Sequence, residues 1–279
     1  MHYNNDMSGF PKVVLTAPDG AQAELYSYGA HVTAWRPVGG KERLFLSKRA
    51  EFRTGVAIRG GVPVCFPQFA EEGPLLKHGF ARLNTWELAR VDKAGASAQA
   101  ILQLEDSEAT RAIWPHAFRA KLIVTVGGSR LRLEFAVQNT GVKSFTFTGA
   151  LHTYLLVNDI AATVVENLGN GRYRDEATGS RDVVQAEPEV RFNGEVDRLY
   201  SQAPAQVVVR EPERCMTVLA TGFPDVVVWN PGPERCAALA DMEPTSYRHM
   251  VCVEAAVVSV PPEVPVGATW FGTQELIAQ

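Results

Sequence analysis

His152 and Glu254 are ionisable residues that lie inside apolar stretches of the sequence. Glu254 belongs to VCVEAAVV, where strand alternation would place its side chain on the same face as Cys252. His152 belongs to FTGALHTYLL, a comparably apolar stretch. Because an imidazole titrates near neutral pH and burial tunes a carboxyl group, the two residues would form an acid–base pair if the fold brought them together.

Each of these two residues also has a purely structural interpretation. Glu254 can be an outward-facing strand residue, because a carboxylate that is buried without a partner costs several kcal/mol. His152 can be a hydrogen-bonded residue of the core, which is a common place for a histidine in an apolar strand. The residues by themselves leave both interpretations open.

Basic residues lie close to glycines in two segments. RGGVPVCFPQF begins at Arg59, and KHGFAR contains Lys77 and Arg82. If Arg59 and Arg82 converge, their guanidinium groups would bind a phosphate or a carboxylate, and the glycines would let that ligand approach the backbone. A solvated basic loop is the alternative.

Two further residues are candidates for the wall of a pocket. Trp229 ends the apolar run VVVW before a turn, so it either covers the core or forms a pocket rim. Asp197, in EVDRLY, is either a ligand-binding carboxylate or the ion-pair partner of the neighbouring Arg198.

Common cofactor and hydrolase motifs are absent from the sequence. It contains no phosphate-binding P-loop, no dinucleotide-binding GxGxxG, no GxSxG and no HExxH. His and Cys residues do not recur at the spacing of metal ligands. We therefore expect neither a metal nor an organic cofactor.

Charge and composition exclude several classes of partner. The 279 residues include 27 Lys and Arg against 31 Asp and Glu, and the net charge of −4 disfavours nucleic acid as the main partner. The apolar stretches are shorter than the roughly 20 residues of a transmembrane helix, and the N-terminus has no apolar signal region. The four cysteines form no CxxC pair. We expect reduced thiols, a cytoplasmic location and a monomer.

Alternation of apolar and polar residues dominates the chain and predicts β-strands. FRAKLIVTV and RLRLEFAVQ are the clearest examples, and the GGS between them predicts a hairpin turn. Short helical segments are expected only at residues 106–112 and 241–250, and NPGPE at 230–234 is expected to be a turn. Further strands are predicted at residues 12–16, 21–27, 84–91, 98–105, 206–210, 216–220, 225–229, 251–260 and 270–276.

Short strands without helical crossovers indicate an all-β fold, a large antiparallel β-sandwich with a few short helices. No linker-like tract divides the chain. Residues 10–279 are therefore predicted to form a single domain, and residues 1–9 a flexible N-terminus.

Six segments in collinear order resemble the D-hexose-6-phosphate mutarotases, also called glucose-6-phosphate 1-epimerases, of the galactose-mutarotase-like superfamily. The resemblance covers nearly the whole chain, from about residue 12 to residue 276, and it implies a β-sandwich of the supersandwich type. The segments are RGGVPVCFPQF (59–69), KHGFAR (77–82), ALHTYLLVNDI (150–160), EVDRLY (195–200), VVVWNP (226–231) and VCVEAA (251–256).

The activity that this resemblance implies is the interconversion of the α and β anomers of a hexose 6-phosphate. The family's catalytic histidine and glutamate correspond to His152 and Glu254. In the implied reaction Glu254 removes the proton from the anomeric O1 hydroxyl while His152 protonates the ring oxygen O5. The ring opens, the C1–C2 bond rotates, and the ring closes on the other face.

The resemblance also implies a set of substrate-binding residues. Those of the family correspond to Arg59, Arg82 and Asp197. His78 matches the motif as a contact to the sugar or its phosphate. Lys77 stands where the family often has glutamine, so it adds a positive charge near the expected anion site.

Other functions are compatible with the same residues. An aldose 1-epimerase of unphosphorylated sugars would use the same acid and base, and a non-catalytic sugar-binding protein would retain the fold and the pocket. A glycosidase is disfavoured because that chemistry normally uses two carboxylates on either side of the bond.

Overall fold

Antiparallel strands make up most of the regular secondary structure in the computed structural model, which describes residues 4–5 and 9–279. The strands of the first half are β1 (Asn4–Asn5), β2 (Pro11–Thr16), β3 (Gln22–Tyr26), β4 (His31–Arg36), β5 (Val64–Cys65), β6 (Glu87–Ala94), β7 (Ser97–Glu105), β8 (Phe118–Gly127), β9 (Arg130–Asn139), β10 (Phe145–Thr146), β11 (Gly149–Leu151) and β12 (Tyr154–Leu156). Those of the second half are β13 (Val164–Glu166), β14 (Arg172–Asp175), β15 (Ser180–Val184), β16 (Glu189–Val190), β17 (Val196–Tyr200), β18 (Gln206–Arg210), β19 (Cys215–Thr221), β20 (Asp225–Asn230), β21 (Met250–Val257), β22 (Glu263–Val264) and β23 (Thr269–Ala278).

Helices are short and few among the described residues. The α-helices are α1 (Glu108–Ile113) and α2 (Gly232–Ala238), and the 3-10 helices are Ala81–Leu83, Ile160–Ala162 and Ser246–His249. In α1 the Ser107 side chain accepts from the Thr110 amide, and the Thr110 side chain accepts from the Ser107 amide. This capping box fixes the start of the helix predicted at residues 106–112.

Two large sheets form the sandwich. The nine-stranded sheet has the order β16-β13-β18-β19-β23-β9-β8-β7-β6, and the eight-stranded sheet has the order β15-β14-β17-β20-β21-β11-β5, with β12 also paired to β21. The main core lies between them. The predicted all-β sandwich is therefore confirmed, and β8 and β9 form the predicted hairpin.

The central strands of the eight-stranded sheet are buried on both faces, and this arrangement determines where the site lies. Every residue of β20 and β21 is buried. Alternate residues such as Val228 and Val253 pack into the core between the sheets, whereas Trp229 and Cys252 belong to a second apolar cluster on the outer face. The outer cluster also includes Cys236 of α2, so this helix covers part of that face.

The expectation of a turn at residues 230–234 is wrong, because α2 begins there. Asn230 Oδ1 accepts a hydrogen bond from the amide of Gly232. Gly232 has φ +63°, and a Cβ there would lie 2.6 Å from the amide nitrogen of Glu195. Proline is compatible with the first turn of a helix, so Pro233 does not prevent α2. A segment rich in Pro and Gly resembles a turn even where it starts a helix.

Other expectations concern the ends of the chain and its location. Residues 1–3 and 6–8 of the predicted flexible segment lie outside the described residues, and Asn4–Asn5 pair with β2. The assignment of residues 10–279 to one domain stays a prediction. In the described part of the chain, no helix is long and apolar enough to span a membrane. All four cysteines are free thiols.

Candidate active site

His152 and Glu254 lie opposite each other on neighbouring strands. Leu151 pairs with Ala255 and Tyr154 pairs with Cys252, so the same register continues across the short break between β11 and β12. In that register His152 faces Glu254, and His152 Nδ1 lies 3.3 Å from Glu254 Oε1. The His152 amide donates to the carbonyl of Pro63, which continues the pairing of β11 with β5.

Burial is the main influence on the protonation of this pair. Glu254 is 1% exposed, so the interpretation of an outward-facing strand residue is wrong. Burial, reinforced by the charge of Asp197, raises the pKa of Glu254 well above its usual range. Burial, together with the positive charges of Arg82 and Arg59, lowers the pKa of His152 well below its usual range. Among the described residues, His152 Nδ1 and Glu254 Oε2 have no hydrogen-bond partner.

Arg59 is fixed at the pocket by two side chains that the sequence did not reveal. Its Nε donates to Asp241 Oδ2 at 3.0 Å, and its Nη1 donates to the hydroxyl of Tyr154 at 2.9 Å. Tyr154 also stacks on the His152 ring, with centroids 4.8 Å apart. Arg59 therefore links the loop before β5 to the strand pair that holds His152 and Glu254, and part of its guanidinium is committed to these contacts.

The two glycines after Arg59 permit a close approach between backbone segments. Gly61 has φ +62°, and a Cβ there would lie 2.1 Å from the carbonyl oxygen of Val32. His31 is buried beside this turn, with Nε2 2.7 Å from the carbonyl oxygen of Gly60. Burial lowers the pKa of His31 to about 4, so the ring is neutral and donates this hydrogen bond.

Arg82 is a basic residue of the pocket with unsatisfied donor capacity. Its Nη2 donates to the carbonyl of Lys77 at 2.8 Å, whereas its buried Nε has no hydrogen-bond partner in the described part of the chain. Lys77 is more exposed and lies 3.8 Å from Glu71. The solvated-loop alternative is wrong for Arg59 and Arg82, because both line the same pocket.

His78 lies against the ring of His152. The ring centroids of His78 and His152 are 5.3 Å apart in an edge arrangement. His78 Nδ1 accepts from the amide of Ala70 at 3.2 Å, which leaves Nε2–H free to donate. Burial, followed by the charges of neighbouring cationic groups, lowers the pKa of His78, so its ring is neutral.

Asp197 and Trp229 occupy one row of the sheet. Trp229 pairs with Asp197 on one side and with Cys252 on the other. Asp197 is not the partner of Arg198, whose Nε donates to Asp175. Burial, with the charges of Glu176 and Glu195, raises the pKa of Asp197 to about 6. Both interpretations of Trp229 apply, since it joins the outer cluster and also lines the pocket.

The cavity that these side chains enclose has a volume of about 290 Å³. It brings together all seven residues that the sequence analysis selected, namely Arg59, Lys77, His78, Arg82, His152, Asp197 and Glu254. Charged residues that the sequence analysis missed complete its wall: Glu72, Arg174, Glu176 and Arg235. Arg174 forms ion pairs with Glu72 and Glu176, so it connects the loop after β5 to β14.

Three potential metal ligands also meet in this place. The ligand atoms of His152, Cys252 and Glu254 lie within 4.8 Å of one another. His152 is far from Cys252 and Glu254 along the chain, so the sequence does not show that the three side chains meet. Strand alternation in β21 indicates only that Cys252 and Glu254 lie on the same face. The expectation of a metal-free protein stays a prediction.

Comparison with known proteins identifies the family of this chain. A family model described as aldose 1-epimerase matches residues 11–276. The chain belongs to the aldose 1-epimerase family. This membership confirms that the sequence resemblance was correct, and it makes an acid–base pair in a sugar-sized cavity the expected chemistry of the site.

The relatives within the family agree in sequence and in fold. A protein of Cenchrus ciliaris named "Putative glucose-6-phosphate 1-epimerase" is 37% identical, over 97% of this chain and 85% of its own length. A crystal structure from Salmonella typhimurium, described as "a putative mutarotase", is 32% identical with a TM-score of 0.89, covering 96% of this chain and 90% of that one. A galactose mutarotase-related enzyme of Lactobacillus acidophilus, 14% identical, has a TM-score of 0.75 and covers 96% of this chain and 97% of its own, which shows the shared fold.

Proposed function

We propose that this protein interconverts the α and β anomers of a hexose 6-phosphate, with glucose 6-phosphate as substrate. The observation that carries the proposal is the opposed pair His152 and Glu254 in one cavity with Arg82, whose buried Nε is unpaired within the described residues. The names of the most similar relatives support a phosphorylated sugar.

The reaction needs one base and one acid near the anomeric centre. Glu254 accepts the O1 proton while His152 delivers a proton to O5, and the C1–O5 bond breaks to give the open-chain aldehyde. After rotation about C1–C2, the reverse transfers close the ring on the other face. Positioned groups of this kind contribute about 10²–10⁴-fold each.

A single proton shared by the pair satisfies this scheme. The raised pKa of Glu254 and the lowered pKa of His152 favour a neutral pair in the empty cavity, with the proton on the carboxyl group. The reactive form, a carboxylate beside an imidazolium, has the same number of protons. The two groups are 3.3 Å apart without a hydrogen bond between them, so a small reorientation of the pair precedes the proton transfer that converts the resting form into the reactive form.

Binding is assigned to the remaining residues of the cavity. Arg82 has a free donor, and together with Lys77 and the unused donors of Arg59 it recognises the phosphate. Asp197 accepts hydrogen bonds from ring hydroxyls, and His78 donates through Nε2 to the sugar or its phosphate. We also propose that the protein acts as a monomer, and the free cysteines support a cytoplasmic location.

Exchange spectroscopy by NMR tests the proposal directly. The rate of exchange between anomers is measured with glucose 6-phosphate and with glucose, after subtraction of the uncatalysed rate. We expect faster turnover of glucose 6-phosphate by the wild type, and losses of about 10²–10⁴-fold in Glu254→Gln and His152→Asn. His116→Asn, a change outside the cavity, is the matched control.

Each outcome of this experiment is informative. Near wild-type rates in both site variants would overturn the assignment of the pair. Equal turnover of glucose and glucose 6-phosphate would identify an aldose 1-epimerase without phosphate preference. Binding without exchange would identify a sugar-binding protein.

A further inference from the structure

A polar cluster lies in the apolar core directly behind the catalytic pair. Gln274 of β23 is fully buried, and Thr153 is fully buried as well. Both lie in the space between the two sheets, where burying a polar side chain is unfavourable unless it is hydrogen-bonded. The neighbouring core positions of β23 and β9 are apolar, for example Leu276 and Leu133. Packing alone therefore does not explain why a glutamine occupies this position.

The hydrogen bonds of this cluster join the two strands that hold the catalytic residues. The Thr153 hydroxyl donates to Gln274 Oε1 at 2.5 Å. Gln274 Nε2 donates to the carbonyl oxygen of Val253 at 3.1 Å. Thr153 directly follows His152, and Val253 directly precedes Glu254. One side chain of the opposite sheet thus contacts the neighbours of both groups.

The backbone explains why this place needs support. At the break between β11 and β12, the amide of Thr153 donates to the carbonyl of Leu151, and the amide of His152 donates to Pro63. The ladder to β21 is kept at this point by the amide of Val253, which donates to the carbonyl of Thr153 at 3.1 Å. Since His152 lies within the break, its position relative to β21 depends on Thr153.

We propose that Gln274 and Thr153 are positioning residues that set the separation of His152 and Glu254 from behind the sheet. Neither side chain lines the cavity, so neither contacts the sugar in this proposal. Their effect passes through the backbone of Thr153 and Val253. The inference rests on the proposed function, because it assumes that His152 and Glu254 carry out the proton transfers.

The test compares variants that keep or remove the hydroxyl and the amide. Gln274→Leu and Thr153→Val remove one partner each, whereas Thr153→Ser keeps the hydroxyl. We expect kcat for anomer exchange to fall by on the order of tenfold to a hundredfold in the first two, because small displacements of reacting groups have effects of that size. KM should stay within about twofold, since the binding groups are unchanged. Because Thr153→Ser keeps the hydroxyl, its kcat should stay close to that of the wild type.

A matched control separates positioning from loss of stability. Asn139 is also buried and donates to the carbonyl of Val264, far along β9 from the site. Asn139→Leu should lower stability to a similar extent and leave kcat unchanged. A second readout needs no turnover: the ¹⁵N chemical shifts of the His152 ring, in protein labelled at histidine, should change in Gln274→Leu and not in Asn139→Leu.

The result that overturns the inference is a wild-type kcat and unchanged His152 ring shifts in folded Gln274→Leu and Thr153→Val. A rise in KM at constant kcat would also overturn it. Failure of the proposed function gives a different result, because the wild type itself would then show no catalysed exchange. If Gln274→Leu does not fold, Thr153→Val and Thr153→Ser decide the question.

Discussion

Glu254 Oε1 lies 3.3 Å from His152 Nδ1, in a pair whose members are both buried and come from opposed positions of two strands. Burial shifts the two pKa values in opposite directions, downward for His152 and upward for Glu254. Between these two values the pair holds one proton, and that is the protonation count which the reaction requires.

The first prediction follows for the pH dependence of kcat/KM, which reports the protonation of the free enzyme. At low pH kcat/KM falls only when His152 takes up a second proton, and at high pH only when Glu254 loses the last one. We therefore expect a broad plateau through neutral pH, measured by NMR exchange at substrate concentrations well below KM and corrected for the uncatalysed reaction. Glucose serves as the control for ionisation of the sugar phosphate. A limb near the ordinary histidine pKa of about 6.5 with both sugars would contradict the prediction.

A second prediction concerns Arg82, a basic residue of the cavity whose buried Nε has no hydrogen-bond partner in the described part of the chain. Arg82→Gln should raise KM for glucose 6-phosphate by about 10–100-fold, since hydrogen bonds to charged groups contribute about 1.5–3 kcal/mol. Turnover of glucose should change little. Arg90→Gln, at a surface ion pair with Asp92, is the control. Equal effects on both sugars would rule out phosphate recognition by Arg82.

The third prediction concerns the contribution of Asp197 to the free energy of unfolding and how it changes with pH. Its pKa in the folded protein is about 6, above the ordinary 3.8, so the folded state holds the proton more tightly than the unfolded state. The free energy of unfolding contributed by this group therefore falls as pH rises from about 4 to about 6. Asp197→Asn removes this loss and should be about 1–3 kcal/mol more stable than the wild type at pH 8.

Urea unfolding at a series of pH values tests this prediction. The difference between Asp197→Asn and the wild type should vanish below about pH 4, where both residues are uncharged. A difference that is independent of pH would show that the carboxyl group is not destabilised by burial. The variant should also bind the sugar more weakly, because an amide replaces the carboxylate acceptor.

The fourth prediction uses two glycines that both have positive φ. Gly267 has φ +76° with no atom within 4 Å of the position that a Cβ would take, whereas at Gly61 the Cβ would lie 2.1 Å from Val32 O. Gly267→Ala should lower the free energy of unfolding by about 1–2 kcal/mol, the cost of the left-handed conformation. Gly61→Ala adds a backbone clash and should lower it by ~3 kcal/mol or more. If chemical denaturation showed the same loss of unfolding free energy in Gly61→Ala and Gly267→Ala, the close contact between Gly61 and β4 would be contradicted.

Much of the fold was predictable because its signal is local. Alternation in β8 and β9 reflects strands with one face on the core, and the hairpin between them needs only a tight turn. Strand β4 was not predicted, since His31–Arg36 is buried on nearly every side and its residues do not alternate. Helix α2 was missed because its first turn contains the proline and glycine of an ordinary turn.

The sequence by itself determined the sandwich and, through six collinear segments, the family and the seven side chains that meet in the cavity. Alternation along β21 already put Glu254 beside Cys252 on one face. Only the tertiary structure decided the partners of these side chains: that Glu254 faces His152 across a strand pair, that Arg59 is held by Asp241, and that Gln274 supports the pair from the other sheet. The physical reason is that a strand's pattern specifies which face a residue occupies, whereas contacts between residues more than a hundred positions apart depend on how the strands are paired.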